Sequence, residues 1–281
     1  MTPIPDAVPD CIPDSINERL ARAGRLRLFL DYDGTLADFA PTPEQVTPDP
    51  EVIALLTRLA EQPRIRVAVI SGRRLDHVET LVPLPNVLLA GTYGIELRMP
   101  GGEQERVTRV AYGAIRPTLE ALKPRWTRLI ADRRGFFLED KGWAMALHAR
   151  FADDDEAEAV LASARRAAEE VTEVIGPTWE LRLLGGHKFL EVGPELAHKG
   201  RTVAYLLDRH PWPGALPLYV GDDDKDEEAF GVIKARGGIA VLVSSRPCET
   251  KADAHLESPE VVRSWLGTLP DLMSGRTGGA P

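Results

Sequence analysis

The chain of 281 residues carries 34 lysines and arginines against 43 aspartates and glutamates, a net charge of −9, and 43% of it is hydrophobic. That hydrophobic share supports a sizeable core and excludes a disordered chain, and the acidic balance gives no broad footprint for nucleic acid or an anionic membrane. Cys11 and Cys248 lie near opposite ends and form neither a disulfide framework nor a metal-site spacing.

Met1 to Asp14 holds Pro3, Pro5, Pro9 and Pro13 and reads as an extended or mobile arm. It lacks the cationic patch and apolar core of a signal peptide. No apolar run approaches the roughly 20 residues of a membrane helix. A soluble, cytoplasmic, monomeric protein with no membrane or nucleic-acid partner is the expectation. Ile16–Gly24 is predicted as a short helix and Leu26–Leu30 as the first strand. Pro41, Pro43, Pro48 and Pro50 mark a loop. The spacing of Val52, Ile53, Leu55, Leu56, Leu59 and Ala60 predicts a helix over Glu51–Glu61. Ile65–Ile70 is a second apolar strand, followed by a helix at Leu75–Leu81 and a strand at Asn86–Ala90. Strand–helix–strand alternation of this kind predicts a parallel sheet.

The pattern then changes. Val107–Ile130 reads as a long helix despite Gly113, Pro117 and Pro124. Phe136–Glu139 and Trp143–Arg150 read as paired strands. Asp153–Val171 is a helix capped by Asp153 or Asp154. Trp179–Leu184 and His187–Val192 read as a hairpin around Gly185-Gly186. Alternating α/β resumes with a helix at Lys199–Asp208, a strand at Pro217–Val220, a helix at Glu227–Ala235, a strand at Gly238–Val243 and a terminal helix at Glu260–Leu269. The tail Ser274–Pro281 is expected to be mobile. The fold class is therefore α/β: a parallel-sheet core formed by 1–106 and 193–281, with an α+β unit inserted at 107–192.

Four short elements carry the chemistry. The first strand runs into Asp31-Tyr32-Asp33-Gly34-Thr35-Leu36. Alternation puts Asp31 and Asp33 on one side, and paired carboxylates at a strand's C-terminal end suit a hard cation such as Mg²⁺. One carboxylate there can also act as a nucleophile and form an aspartyl-phosphate. Ser71-Gly72-Arg73 offers a hydroxyl and N–H groups at a strand end, as a phosphate requires. Lys199 stands at a helix start, where the dipole disfavours a cation, so a local anion is expected. Gly221-Asp222-Asp223-Asp224-Lys225-Asp226 is a second acidic strand end. Asp226 and its successors suit a helix N-terminus, but Asp222 and Asp223 precede it, and close carboxylates repel unless a cation compensates. A metal site shared between the two acidic strand ends is the better account.

In this order the four elements resemble the motifs of the haloacid dehalogenase-like phosphohydrolases. The chain more narrowly resembles trehalose-6-phosphate phosphatases over about 26–245. Leu30 to Leu36, Ile70 to Arg73, Gly91-Thr92-Tyr93-Gly94-Ile95-Glu96, Glu139-Asp140-Lys141 and Gly221 to Phe230 carry that resemblance. It implies a Rossmann-like core with a C2-type cap, and Mg²⁺-dependent hydrolysis of trehalose 6-phosphate. By the same resemblance Asp31 is nucleophile and metal ligand, and Asp33 binds metal through its carbonyl and serves as general acid and base. Ser71 and Lys199 hold the phosphoryl oxygens, with Gly72 and Arg73 supporting them. Asp222 ligates Mg²⁺, while Asp223 and Asp226 support the metal and Lys199.

Glu139, Lys141, His148, Arg150 and Glu191 are polar positions on or beside strands of the insertion. Mixed carboxylates and cations suit sugar hydroxyls, which both donate and accept. Tyr93, Gly193 and Lys225 depart from the family pattern, which has His, a cation and Thr at those places. These departures leave another sugar phosphate, such as a glucosyl or mannosyl conjugate, open as substrate. A non-catalytic domain that binds sugar phosphate and regulates a synthase is the alternative of a different class.

Overall fold

The computed structural model describes residues 12–39, 46–101, 106–175, 181–186, 188–246 and 248–275. The chain divides into two compact units, 1–107 with 198–281, and 108–197. The first unit opens with α1 (Asp14–Arg22), β1 (Arg25–Leu30), α2 (Pro50–Ala60), β2 (Ile65–Ile70), α3 (Leu75–Leu81), β3 (Leu88–Gly91), β4 (Glu96–Arg98) and β5 (Arg106–Thr108). The inserted unit contains α4 (Tyr112–Ile130), β6 (Phe137–Asp140), β7 (Met145–His148), α5 (Asp154–Ile175), β8 (Leu181–Gly186) and β9 (Phe189–Pro194). The first unit then resumes with α6 (Lys199–Arg209), β10 (Ala215–Gly221), α7 (Asp226–Ala235), β11 (Ile239–Val243), β12 (Ala254–Leu256) and α8 (Pro259–Ser274).

The first unit is built on an eight-stranded sheet of order β12-β11-β10-β1-β2-β3-β4-β5. Pairing is parallel from β12 through to β3, and β4 runs antiparallel to β3. The central strands are almost wholly buried, as expected of a parallel sheet covered on both faces. Leu28, Leu30, Val67, Val69, Leu218 and Val220 face one apolar layer with α2 and α8. Phe29, Ala68, Ile70, Tyr219 and Ala240 face the other, with Val203, Leu206 and Phe230 of α6 and α7. From β1 the chain order runs outward one way through β2 and β3, and the other way through β10, β11 and β12. The strand order therefore reverses between β1 and β10, and ligands of such sheets bind beyond the strand ends at that switch point.

The inserted unit has a separate antiparallel sheet of order β6-β7-β9-β8. Its two helices are joined by Trp126, whose buried Nε1 donates to the Ala164 carbonyl at 2.9 Å. Asp153 caps α5 by accepting from the Asp155 N–H. No described helix is long and apolar enough to cross a membrane.

Several elements differ from their sequence-based bounds. Val107 lies in β5 rather than in a helix, and α4 starts at Tyr112 after extended Ala111; the β-branched pair Val107-Thr108 suits a strand. Gly185 and Gly186 continue β8, paired with Leu190 and Phe189, so the reversal falls beyond them, at Lys188 with φ 53°. Trp179 and His187 lie outside the described residues, as do 1–11 of the arm, Pro41, Pro43 and the tail beyond Gly275. α8 runs through Pro270 to Ser274 and stops at Gly275, whose φ of 72° is a left-handed cap.

Candidate active site

Asp31 directly follows β1, and its N–H bonds to Val220 O of β10 at 3.0 Å, which brings the two acidic strand ends together at the switch point. The backbone then turns at once. Gly34 has φ 77°, and a Cβ there would lie 2.3 Å from Asp222 Oδ2, so only glycine lets this turn approach the second acidic run. Thr35 donates its hydroxyl to Asp222 Oδ1 at 3.3 Å and so orients that carboxylate.

Asp31, Asp222 and Asp226 present carboxylate oxygens within 4.8 Å of one another. They do not play equivalent parts. Asp226 is fully buried and saturated: Oδ1 accepts from Lys199 Nζ and Tyr219 Oη, both at 2.7 Å, and Oδ2 accepts from the Asp222 and Asp223 N–H groups at 3.0 and 3.1 Å. It is the anchor of the cluster. Asp223 turns elsewhere, accepting the Lys225 and Asp226 N–H groups and pairing with Lys225 Nζ at 3.2 Å.

Lys199 is 2% exposed. The anion expected at this helix start is present threefold, with Asp226 at 2.7 Å, Asp31 at 2.9 Å and Asp223 at 3.7 Å. Burial opposes the charge, but Asp226, Asp31 and Asp223 outweigh it and hold the ammonium pKa well above the usual lysine range. Ser71 is buried at the end of β2, and its Oγ accepts the Arg73 N–H at 3.1 Å. Asp33, in contrast, is gripped by Arg73, whose Nε and Nη2 each donate to one carboxylate oxygen at 2.7 Å. Its side chain therefore stands apart from the acidic cluster, although alternation placed it beside Asp31; the strand ends at Leu30, and alternation does not extend through the turn.

The donor set fits a divalent cation. Burial pushes the Asp31 carboxyl well above the usual carboxylate range; Lys199 opposes the shift and Asp222 and Asp223 add to it. Burial, then Asp226 and Asp223, push Asp222 up to about 7. A buried and a part-buried carboxylate that resist ionisation together are what a cation would stabilise, and Mg²⁺ is commonly held by one or two carboxylates plus water and phosphate oxygens. Asp31 and Asp222 have the free lone pairs for it.

In the inserted unit, cross-strand register aligns Glu139, Ala146 and Glu191, and likewise Phe137, His148 and Phe189. Lys141 Nζ bonds Glu191 Oε2 at 2.7 Å as a buried pair, and Glu139 Oε2 lies 4.0 Å from Lys141 and 2.9 Å from His148 Nε2. His148 stacks on Phe137, ring centroids 4.2 Å apart. Four of the five anticipated polar residues thus form one chain of contacts. Arg150 is exposed in the turn beyond β7.

Three participants escaped the sequence reading. Thr35 sits inside the first quoted motif and Tyr219 on the strand that leads into the second acidic run, and their hydroxyls, near paired carboxylates, were the available signal. Asp140 is held by Arg116 through two bonds of 2.6 and 2.7 Å, which keeps its carboxyl well below the usual range; a pairing across 24 residues leaves no local trace.

Acidic strand ends at the switch point, a buried lysine between them and a serine at the adjacent strand end define a metal-dependent phosphohydrolase of the haloacid dehalogenase-like class. The model of the trehalose-phosphatase family matches residues 29–260, and the chain belongs to that family. It is 30% identical over 271 residues to the Zea mays trehalose 6-phosphate phosphatase RA3, covering 91% of this chain and 73% of the maize protein. A solved structure of Aspergillus fumigatus trehalose-6-phosphate phosphatase is similar at 27% identity and TM-score 0.67, over 95% of this chain and 99% of that one. The fold is shared at TM-score 0.73 with the C-terminal domain of a Candida albicans trehalose synthase regulatory protein, at 13% identity over 94% and 99% of the two chains.

Proposed function

We propose that this chain is a Mg²⁺-dependent phosphatase that hydrolyses trehalose 6-phosphate to trehalose and phosphate through an aspartyl-phosphate on Asp31. The observation that carries the reading is the buried Asp31 carboxylate 2.9 Å from the Lys199 ammonium and clustered with Asp222. A carboxylate nucleophile repels a phosphate dianion, so the reaction needs positive charge at the oxygens. Lys199 supplies one charge, and Ser71 offers a hydroxyl to another oxygen. Mg²⁺, held by Asp31 and Asp222, with the Asp33 carbonyl and Asp223 in supporting roles, would supply the rest of that charge.

Asp31 attacks phosphorus, the bond to the sugar oxygen breaks, and Asp33 gives that oxygen its proton. Water then attacks the acyl-phosphate, Asp33 takes a proton from it, and phosphate leaves with Asp31 restored. Asp33 must exchange its Arg73 pair for the leaving oxygen, which assigns Arg73 to holding Asp33 between turnovers. The sugar contacts are assigned to Glu139, Lys141, His148, Arg150 and Glu191. Cytoplasmic location and a monomeric state belong to the same proposal.

The test is phosphate release from a panel of sugar phosphates with Mg²⁺. Trehalose 6-phosphate should be hydrolysed far faster than glucose 6-phosphate. A preference for another conjugate would support the reading that Tyr93, Gly193 and Lys225 mark a changed substrate. No release from any phosphate ester, from a folded protein, would reject the enzyme and favour a regulatory binding domain.

A further inference from the structure

Thr92 and Tyr93 are consecutive non-glycine residues in the left-handed region, with φ of 47° and 55°. That conformation crowds Cβ against the carbonyl oxygen, and a pair of such residues persists only where surrounding bonds over-determine it; sites of this kind cluster at centres of chemistry. The Thr92 hydroxyl is buried and has no hydrogen-bond partner, a further cost the fold carries here.

The bonds that impose the turn run to two places. On one side the Thr92 N–H donates to Arg73 O at 2.7 Å and the Tyr93 N–H to Ser71 O at 2.8 Å, so the turn grips both ends of the Ser71-Gly72-Arg73 loop. The Tyr93 ring lies against the middle of that loop, since a Cβ on Gly72 would meet the phenol at 2.7 Å. On the other side Tyr93 O accepts from Thr202 Oγ1 at 2.7 Å, in a buried bond. Thr202 lies on α6, one turn after Lys199. Gly94 packs on the same threonine so closely that a Cβ would fall 2.1 Å from its hydroxyl.

A single rigid turn is thus bonded to the loop that carries Ser71 and to the helix that begins at Lys199. We propose that the left-handed Thr92–Tyr93 turn sets the separation of the Ser71 hydroxyl and the Lys199 ammonium, which makes Tyr93 a positioning residue for the phosphoryl group. The inference rests on the reading of Ser71 and Lys199 as holders of phosphoryl oxygens. Strand β2 fixes one of them and helix α6 the other, and no strand ladder joins those two elements directly. Displacement of about 1 Å in such a pair costs about a hundredfold in rate.

Thr202→Val removes the hydroxyl donor at constant volume, and Thr202→Ser keeps it. Tyr93→Gly releases the left-handed crowding and removes the ring, and Tyr93→Phe keeps the ring. Each is compared with wild type by kcat and KM on trehalose 6-phosphate, by calorimetric Kd for inorganic phosphate with Mg²⁺, and by Tm. Thr202→Val should lower kcat about tenfold or more and weaken phosphate binding in parallel, and Thr202→Ser should restore both. Tyr93→Gly should also lower kcat and weaken phosphate binding, with a fall in Tm from the lost buried ring, and Tyr93→Phe should stay near wild type. The proposal is overturned if Thr202→Val and Tyr93→Gly keep kcat and phosphate Kd within about twofold, or if losses track Tm alone. Should wild type release no phosphate from any sugar phosphate, the functional reading fails by itself, and the inorganic phosphate Kd series still decides the positioning role.

Discussion

Asp226→Asn is the sharpest single test of how the cluster is held. The side chain keeps its shape, so no cavity forms. One of its two oxygens becomes an NH₂ group, and each oxygen at present serves two donors: Lys199 and Tyr219 on one, the Asp222 and Asp223 N–H groups on the other. Whichever way the amide turns, donors lose an acceptor: the buried Lys199 ammonium on one side, where the Tyr219 hydroxyl can turn to accept, or the part-buried Asp222 and Asp223 N–H groups on the other. Leaving a buried donor unpaired costs about 1–3 kcal/mol, and stripping a partner from a buried ion pair costs about 3–5 kcal/mol. Lys199 keeps Asp31, which limits the second term, so a loss of about 3–5 kcal/mol is expected. Urea denaturation of the metal-free protein measures it. Asp224→Asn is the control, because its side chain is 66% exposed in the same acidic run; a change within about 0.5 kcal/mol is expected there. If Asp226→Asn costs under about 1 kcal/mol, or no more than Asp224→Asn, the anchoring role is refuted.

Arg73→Lys should lower kcat about tenfold with KM little changed, because an ammonium cannot reproduce the two parallel bonds to Asp33; wild-type kcat in a steady-state assay would disprove it. Chelation with EDTA should abolish phosphate release and added Mg²⁺ restore it, and full turnover after exhaustive chelation would remove the metal role from Asp31 and Asp222. Stability should respond to pH in the metal-free protein. The folded pKa of Asp222, about 7, lies above its ordinary 3.8, so its contribution is present at low pH and is lost as pH rises through about 7. Tm in EDTA should therefore fall over that window, and Mg²⁺ should reverse the fall; a Tm that rises with pH in EDTA contradicts this. Gly72→Ala should destabilise the fold and impair turnover, because its Cβ meets the Tyr93 phenol at 2.7 Å; unchanged Tm would show that the ring moves aside freely.

Much of the fold was legible because its signals are local. Ile65–Ile70 and Leu75–Leu81 match their expected bounds, since apolar runs and helical spacing are properties of neighbouring residues. β4 and β12, of three residues each, are too short to show a period and exist through pairing with β3 and β11. The site divides in the same way. Asp31, Ser71 and Asp222 stand in motifs whose strand-end placement can be read from sequence, and Lys199 in one whose helix-start placement can. The grip of Arg73 on Asp33 spans 40 residues, the Lys199–Asp226 bond 27, and the Thr202–Tyr93 bond 109. None of these has a period or a spacing rule. The buried Lys141–Glu191 pair, across 50 residues, is another such case.

The shared fold cannot separate an enzyme from a regulatory domain, since a trehalose synthase regulatory protein has it too. The separation must come from the side chains, and the three departures from the family pattern bear on it unequally. Lys225 spends its charge on Asp223 and Asp224, at 3.2 and 2.5 Å, and Asp226 holds Lys199 independently of it. Tyr93 is taken up by Gly72 and by backbone bonds, and it leaves Ser71 in place. Both changes therefore preserve a buried carboxylate beside a buried cation, which a purely binding domain has no need to maintain against the cost of burying both charges. Gly193 is different, for it lies in the inserted unit. Its cross-strand partner is Arg182, so that sheet carries a cation one strand away from the position without one. If the sugar contacts lie in this unit as proposed, a charge displaced by one strand spacing, about 4.8 Å, would reach a different hydroxyl of the sugar. On the proposed reading, phosphoryl transfer rests on the first unit and the choice of sugar on the inserted one, and Gly193 is the departure that bears on the second.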